Sequence, residues 1–212
     1  MIEGSSRFLI VVVLCFCALL AFAGSETTSG IGTHRTTSDV FLLNVFSGSE
    51  AVSNGIQVRS GEAVLRVTAL RDDVLRVRIG RDGVLPEDAS WAVLPESRLA
   101  QVSVTAESDA DSVGFRTKLL RVRIDRQTLR LSLFDLKGNV LQQDAAGWPV
   151  EFHDKAFRIY KEMPDDEHYF GLGDKVGPLD RRNQAFTMWN TDAYRFQEST
   201  DPIYKSIPFF LT

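Results

Sequence analysis

Apolar and polar residues alternate at every second position in several short runs of this chain, and this period of two constrains the fold most. The run Leu75 to Ile79 alternates aliphatic residues with arginines, and the pattern recurs over 120–124 and 129–133. Successive side chains of a strand point to opposite faces, so each run predicts a strand with one buried and one solvated face. Sheets of this kind are usually antiparallel.

Short segments that contain glycine separate the apolar runs. Asn54-Gly55, Asp82-Gly83 and Lys137-Gly138-Asn139 each predict a tight hairpin turn. The chain after Ala23 carries no long, capped pattern with the 3.6-residue period of a helix. Many short strands without crossover helices predict an all-β fold, an antiparallel β-sandwich, which we expect to form one domain over 40–212.

The N-terminus is predicted to be a signal peptide over 1–23. An uncharged apolar run from Phe8 to Leu20 follows Arg7, and Ala21-Phe22-Ala23 has the small-x-small pattern of a signal peptidase site. The run is shorter than the roughly 20 residues of a spanning helix, so we expect no membrane attachment after cleavage. Cleavage after Ala23 predicts a secreted or periplasmic protein. Residues 24–39, rich in Ser, Thr and Gly, are expected to form a flexible leader.

Composition excludes several classes of site. Both cysteines, Cys15 and Cys17, lie in the predicted signal peptide, so the mature protein would have neither a disulfide nor a thiol nucleophile. The net charge is −4 and no basic stripe occurs, which argues against a nucleic-acid partner. His153 and His168 are far from each other, and the acidic run Asp165 to Glu167 lacks a spaced set of further ligands. We therefore predict no metal and no cofactor.

The segment from Trp189 to Tyr194 contains the candidate binding residues. It joins the rings of Trp189 and Tyr194 to the polar side chains of Asn190, Thr191 and Asp192. Aromatic faces pack on the apolar faces of sugar rings, and carboxylate and amide oxygens accept protons from sugar hydroxyls. Two interpretations stay open on these residues alone. The segment is either a sugar-binding loop, or Trp189 packs inside the sandwich and Asp192 caps a turn.

Four segments near the C-terminus combine glycines, aromatic residues and charges in a family-specific order: Tyr169 to Lys175, Gly177 to Arg181, Met188 to Asp192, and Asp201 to Phe210. In these segments the chain resembles the N-terminal domain of glycoside hydrolase family 31, the α-glucosidase and α-xylosidase group. Val74 to Arg78 and Ser90 to Val93 also look like early strands of that family, so the resemblance covers about Asn54 to Thr212. One departure is Asp174, where many members carry glutamate.

The resemblance implies a β-sandwich of the galactose-mutarotase-like type, followed by a (β/α)8 barrel. It implies retaining hydrolysis of terminal α-glycosidic bonds by two aspartates on that barrel, which this chain does not include. We therefore expect no catalytic residue among these residues and no activity of the chain alone. The expected partners are an oligosaccharide or α-glycoside substrate and the catalytic barrel of the same polypeptide.

The resemblance also bears on the segment from Trp189 to Tyr194. Met188 to Asp192 matches the loop that reaches over the barrel mouth, where the family's aspartate touches the sugar beyond the scissile bond. This match makes Asp192 the first candidate for substrate contact, followed by Thr191, Asn190 and Tyr194, with Trp189 beside them.

Two alternative functions remain on the sequence. The first is a stand-alone carbohydrate-binding β-sandwich without catalysis, whose sugar affinity would be abolished by Trp189→Ala or Asp192→Ala. The second is an aldose epimerase that shares the fold. That activity needs a histidine acid and a glutamate base in one cleft, and only His153 and His168 are available outside the leader.

Overall fold

The structure is a computed structural model that describes residues 40–90, 93–99, 102–154 and 156–212. These residues form two compact units, 40–162 and Met163–Thr212. The predicted signal peptide, the predicted leader and the middle of the Ser90 to Val93 segment lie outside the described residues. Those predictions, and that of one domain over 40–212, stay predictions.

In the larger unit, the described residues form short strands and one short helix. In chain order the elements are β1 (Val40–Leu43), β2 (Gly48–Val52), β3 (Gly55–Ser60), β4 (Ala63–Arg71), β5 (Val74–Gly80), α1 (Pro95–Arg98), β6 (Thr105–Ser108), β7 (Ser112–Arg116), β8 (Leu120–Asp125), β9 (Leu131–Asp135), β10 (Val140–Gln143), β11 (Val150–His153) and β12 (Ala156–Arg158). They pair as the sheets β1-β11-β12, β2-β3-β4-β5 and β10-β9-β8-β7-β6. The pairings are antiparallel. The prediction of an all-β, antiparallel fold is confirmed.

The core lies between the four-stranded and the five-stranded sheet, which contact each other between β3 and β7. Phe115, Val122 and Ile124 of the five-stranded sheet are fully buried. Val58 and Val67 of the four-stranded sheet are equally buried. Removal of these apolar side chains from water is the main driving force for folding, and two sheets that share one such layer form a β-sandwich.

Two of the three predicted hairpins are confirmed. The turn that connects β2 to β3 is Ser53-Asn54, one residue before the predicted Asn54-Gly55 pair, and Lys137-Gly138-Asn139 connects β9 to β10. The prediction of a hairpin at Asp82-Gly83 was wrong, because the chain turns there and then enters an irregular segment over 84–90. In that segment Asp88 pairs with Arg76 of β5, so the segment is held by side-chain contacts instead of pairing as a strand.

The predicted solvated faces are confirmed for β8 and wrong for β5. Along β8, buried residues alternate strictly with half-exposed ones. In β5 the side of Arg76 is also covered, and the Arg76 side chain is only 6% exposed. A further difference concerns Leu129, which lies before β9 with a φ of 58° and is nevertheless buried.

The smaller unit is a two-stranded antiparallel ribbon with a long connection. Its strands are β13 (Phe170–Gly173) and β14 (Ser206–Leu211). No helix in the described part of the chain has the length and hydropathy of a membrane span.

Candidate functional site

The connection between β13 and β14 contains all five predicted contact residues, and hydrogen bonds tie it to Ser206 at the start of β14 and to Tyr204 just before that strand. The Thr191 N–H donates to the Tyr204 carbonyl at 3.1 Å. The Ser206 N–H donates to Asn190 Oδ1 at 2.8 Å, and the Ser206 hydroxyl donates to the Trp189 carbonyl at 3.0 Å. The backbone of this segment is therefore fixed on β14.

Most side chains of the segment are open to solvent, and Thr191 is partly exposed. The exposed fraction is 67% for Trp189 and 81% for Tyr194, and the Arg195 guanidinium lies 5.2 Å from the Tyr194 ring centroid. Asp192 is exposed, and its carboxylate has no hydrogen bond or ion pair with the described residues. The interpretation in which Trp189 packs inside the sandwich and Asp192 caps a turn is therefore wrong.

Two glycines allow β13 to approach β14 closely. Gly171 and Gly173 have φ values of 123° and 82°, in the region that favours glycine. A Cβ atom would lie 2.7 Å from the Phe209 carbonyl oxygen at the first glycine and 2.4 Å from that of Lys205 at the second. The expectation that these glycines serve a sharp turn or a close backbone approach is confirmed.

A buried lysine closes the base of the loop that contains the segment. The side chain of Lys175 is only 1% exposed, and its Nζ lies 3.0 Å from Asp201 Oδ1. The same Nζ donates to the Thr187 carbonyl at 2.8 Å, and the Thr187 N–H donates to Asp201 Oδ2. Because Thr187 and Asp201 stand on either side of 188–200, the ion pair brings the two ends of this loop together.

The environment of Asp201 stabilises its charged form. Burial alone would raise the pKa of this carboxyl. The hydrogen bond from the Thr187 N–H and the contact with Lys175 outweigh burial, so the pKa of Asp201 is lowered overall. The Phe186 ring lies beside Lys175 and Arg181, at 5.7 Å and 5.5 Å from their charged groups. The base of the loop is thus a compact charged cluster around one aromatic ring.

A second carboxylate fixes the start of the connection. His168 Nδ1 lies 2.7 Å from Asp180 Oδ2, and Oδ1 accepts hydrogen bonds from the Tyr169 and Arg182 N–H groups at 3.1 Å each. The hydrogen bond with His168, followed by the two backbone bonds, lowers the pKa of Asp180 to about 2. Asp180 is therefore ionised at neutral pH and serves as a structural acceptor.

The segment from Trp189 to Tyr194 lacks the paired carboxyl groups that glycoside hydrolysis needs. From Trp189 to Tyr194 the only carboxylate is Asp192. Retaining hydrolysis needs two carboxyl groups about 5 Å apart. Among the residues that the structure describes, no group of three His, Cys, Asp or Glu side chains is placed to hold a metal ion.

The residues that hold the segment were missed by the sequence interpretation. Lys175 and Asp201 lie 26 positions apart, and no local pattern pairs them. Ser206 was read only as part of a matching segment, although its backbone and hydroxyl both bind the loop. One available indication was the position of Lys175 in a run of glycines and aromatic residues, where a buried cation needs a partner.

Comparison with known families identifies a domain model for most of the chain. The model described as the glycosyl hydrolase 31 N-terminal galactose mutarotase-like domain matches residues 64–212. Alpha-glucosidase 2 from Bacillus thermoamyloliquefaciens is 27% identical over 181 residues, which cover 85% of this chain and 22% of that protein. An alpha-glucosidase from Saccharolobus solfataricus is 39% identical over 54 residues, which cover 26% of this chain and 8% of that protein.

Solved structures show the same similarity. A GH31 dextranase from Flavobacterium johnsoniae, complexed with isomaltotriose, is 27% identical with a TM-score of 0.73 and covers 81% of this chain and 21% of its own. A cycloalternan-forming enzyme from Listeria monocytogenes is 19% identical with a TM-score of 0.66, a likeness of fold alone, and covers 82% of this chain and 17% of its own. This chain therefore spans about a fifth of the length of such proteins. The predicted family and the galactose-mutarotase-like type of fold are confirmed.

Proposed function

The chain belongs to glycosyl hydrolase family 31, whose N-terminal galactose mutarotase-like domain it contains, and we propose on this premise that the whole protein is a retaining α-glycosidase. It would hydrolyse terminal α-glycosidic bonds of an oligosaccharide or α-glycoside. We propose that the present domain lends the active site one loop, Trp189 to Tyr194. The observation that carries this proposal is a fixed backbone that presents two exposed aromatic rings and a free carboxylate.

Each side chain of the loop has a role in this proposal. Asp192 has no partner among the described residues, so its oxygens are available to accept protons from sugar hydroxyls. Trp189 and Tyr194 offer ring faces, although Arg195 covers part of the second. Thr191 offers a hydroxyl, whereas Oδ1 of Asn190 is already bound to Ser206, which leaves Nδ2 as the group for a ligand.

The exposed apolar residues of β14 support packing against a further part of the polypeptide. Four apolar residues of this strand are 41–50% exposed: Ile207, Phe209, Phe210 and Leu211. Contiguous exposed apolar residues usually mark a surface that another element covers. We propose that the catalytic barrel covers this strand and thereby places the loop at its active-site mouth, the end where barrel enzymes keep their chemistry.

We expect residues 24–212 alone to leave an aryl α-glucoside uncleaved. The two carboxyl groups of the retaining mechanism would lie in the barrel, and the loop supplies only Asp192. Release of nitrophenol from 4-nitrophenyl α-glucoside measures this directly, with a complete α-glucosidase as the positive control. Cleavage above the buffer rate that depends on the concentration of this chain would overturn the assignment of catalysis to the barrel.

In the whole protein, we expect Asp192→Ala to lower kcat/KM for the α-glycoside about tenfold. The loss corresponds to one hydrogen bond between a sugar hydroxyl and a carboxylate. Glu198→Ala is the matched control, because Glu198 is an exposed carboxylate of the same connection with no partner among the described residues. Equal kinetic constants for the two variants would show that Asp192 does not contact the substrate.

A further inference from the structure

A cavity of about 450 Å³ opens in the larger unit between its two main sheets. Its floor is apolar and comes from both sheets, with Leu65 and Val77 on one side and Leu131 on the other. The volume lies within the range of about 300–1,000 Å³ that is common for small-molecule sites. Such sites combine an apolar lining with a few polar groups, so the polar rim decides which ligand fits.

Trp148 supplies an exposed aromatic face at this cavity. It is 56% exposed, although aromatic residues of this size are usually well covered. Its ring packs against Tyr160 with a centroid distance of 5.1 Å, and its backbone N–H donates to the Ala145 carbonyl at 3.3 Å. The indole is therefore held in place while much of its surface remains in contact with solvent.

The basic groups of the lining are already neutralised. Lys161 forms an ion pair with Asp144, and Arg130 forms one with Glu162. The Nε of Arg130 also donates to the Asp144 carbonyl at 2.6 Å. Since both cations have carboxylate partners, the cavity has no uncompensated positive charge to attract an anion.

The acidic groups of the lining are equally satisfied. Asp144 Oδ2 accepts a hydrogen bond from the Leu131 N–H at 2.9 Å. Asp125 Oδ1 accepts from the Gln127 N–H at 2.9 Å, and from the N–H and hydroxyl of Thr128 at 2.8 Å each. These contacts leave little capacity for a cationic ligand.

Two carboxamides remain as the free polar groups of the lining. Asn44 and Gln127 are exposed, and neither side chain has a hydrogen bond with the described residues. A carboxamide both donates and accepts, as a hydroxyl group does. The lining thus offers an aromatic face, an apolar floor and two neutral groups that suit hydroxyls.

We propose that this cavity binds one neutral pyranose ring of a glycan. Trp148 would pack on the apolar face of the ring, and Asn44 and Gln127 would bind its hydroxyl groups. The site involves none of the residues from Trp189 to Tyr194, so it stands or falls separately from the proposed substrate loop.

Titration of the chain with methyl α-glucoside, followed by NMR, tests the proposal. We expect saturable shifts of the Trp148 indole N–H and of the side-chain amides of Asn44 and Gln127. Sorbitol, an acyclic polyol, should cause no such shifts because it has no ring face. Trp148→Ala should weaken binding about tenfold or more, and Gln127→Ala should weaken it less.

Phe196→Ala is the matched control, because Phe196 is an exposed aromatic residue outside both the cavity lining and the segment from Trp189 to Tyr194, and its removal should leave the affinity unchanged. Trp189→Ala asks instead whether that segment binds the sugar. Loss of binding in Trp189→Ala with retention in Trp148→Ala would overturn the proposal and support a stand-alone module that uses the segment from Trp189 to Tyr194. Absence of saturable shifts in the unmodified chain, or equal shifts with sorbitol, would also overturn it. Near-ultraviolet circular dichroism of each variant checks that the sandwich is intact.

Discussion

Replacing Asp88 with alanine is expected to lower the free energy of unfolding by about 3 kcal/mol. Asp88 binds Arg76 with both oxygens, at 2.6 Å and 2.8 Å, and the Arg76 side chain is only 6% exposed. Arg78 and Arg98 lie 3.9 Å and 3.5 Å from the same carboxylate. Loss of this carboxylate removes the shared counter-ion of three guanidinium groups, one of them buried. Urea denaturation measures the change as a lower midpoint at constant slope.

Glu87→Ala is the control for this prediction. Glu87 precedes Asp88 in the same irregular segment, and its side chain is exposed with no partner among the described residues. Surface substitutions of this kind change the free energy of unfolding by about 0.5 kcal/mol or less. Equal unfolding midpoints for the two variants would contradict the role assigned to the cluster around Asp88.

The stability that Asp88 contributes should depend on pH. The hydrogen bond from Arg76 lowers the pKa of Asp88 in the folded protein, and the charges of Arg76 and Arg78 lower it further despite partial burial. The pKa of an unfolded aspartate is about 3.9. A depressed folded pKa means that the stabilisation is complete above the unfolded value and is lost as pH falls through the folded value. The stability curves of the unmodified chain and Asp88→Ala should therefore converge only in acid.

The sheet architecture could be predicted because alternation is a local property. The run over 120–124 became β8 with strict alternation of burial, since its arginines stay at the surface. The identical alternation in β5 gave the wrong solvent exposure for Arg76, because its partner Asp88 lies 12 positions away in an irregular segment. Alternation specifies which residues share a face, whereas the covering of the outer face depends on contacts between distant residues.

The residues of the candidate site could be predicted from the sequence, but the contacts that hold them in place could not. The segment from Trp189 to Tyr194 stood out because aromatic and polar side chains are concentrated there, and the structure decides between its two interpretations by exposing both rings. The anchors of the segment, Lys175 and Ser206, pair with residues 26 and 16 positions away. Such pairs depend on the path of the chain between β13 and β14. Neither residue propensities nor the periodicity of apolar residues predicts that path.

Lys175→Met is expected to release the loop over 188–200 while the sandwich core stays folded. Methionine fills a similar volume but cannot bind Asp201 or the Thr187 carbonyl, both of which lie within 3.0 Å of the lysine Nζ. The Lys175 side chain is 1% exposed and the Asp201 side chain is 22% exposed. We therefore expect the free energy of opening the loop to fall by about 2 kcal/mol, which is below the usual range for breaking a fully buried ion pair. The amide protons of Thr191 and Ser206 should then exchange about thirtyfold faster.

Lys205→Met separates this effect from a general loss of positive charge. Lys205 is exposed, and its amine has no partner among the described residues, so exchange at Thr191 and Ser206 should be unchanged in that variant. The fully buried Phe115 of the larger unit serves as an internal reference, since its amide should be equally protected in both variants. Unchanged exchange at Thr191 in Lys175→Met would mean that the contacts with Tyr204 and Ser206 suffice to hold the segment. Under the proposed function, the same substitution in the whole protein should raise KM more than it lowers kcat, because a mobile Asp192 would weaken substrate binding and leave the proposed catalytic pair of the barrel in place.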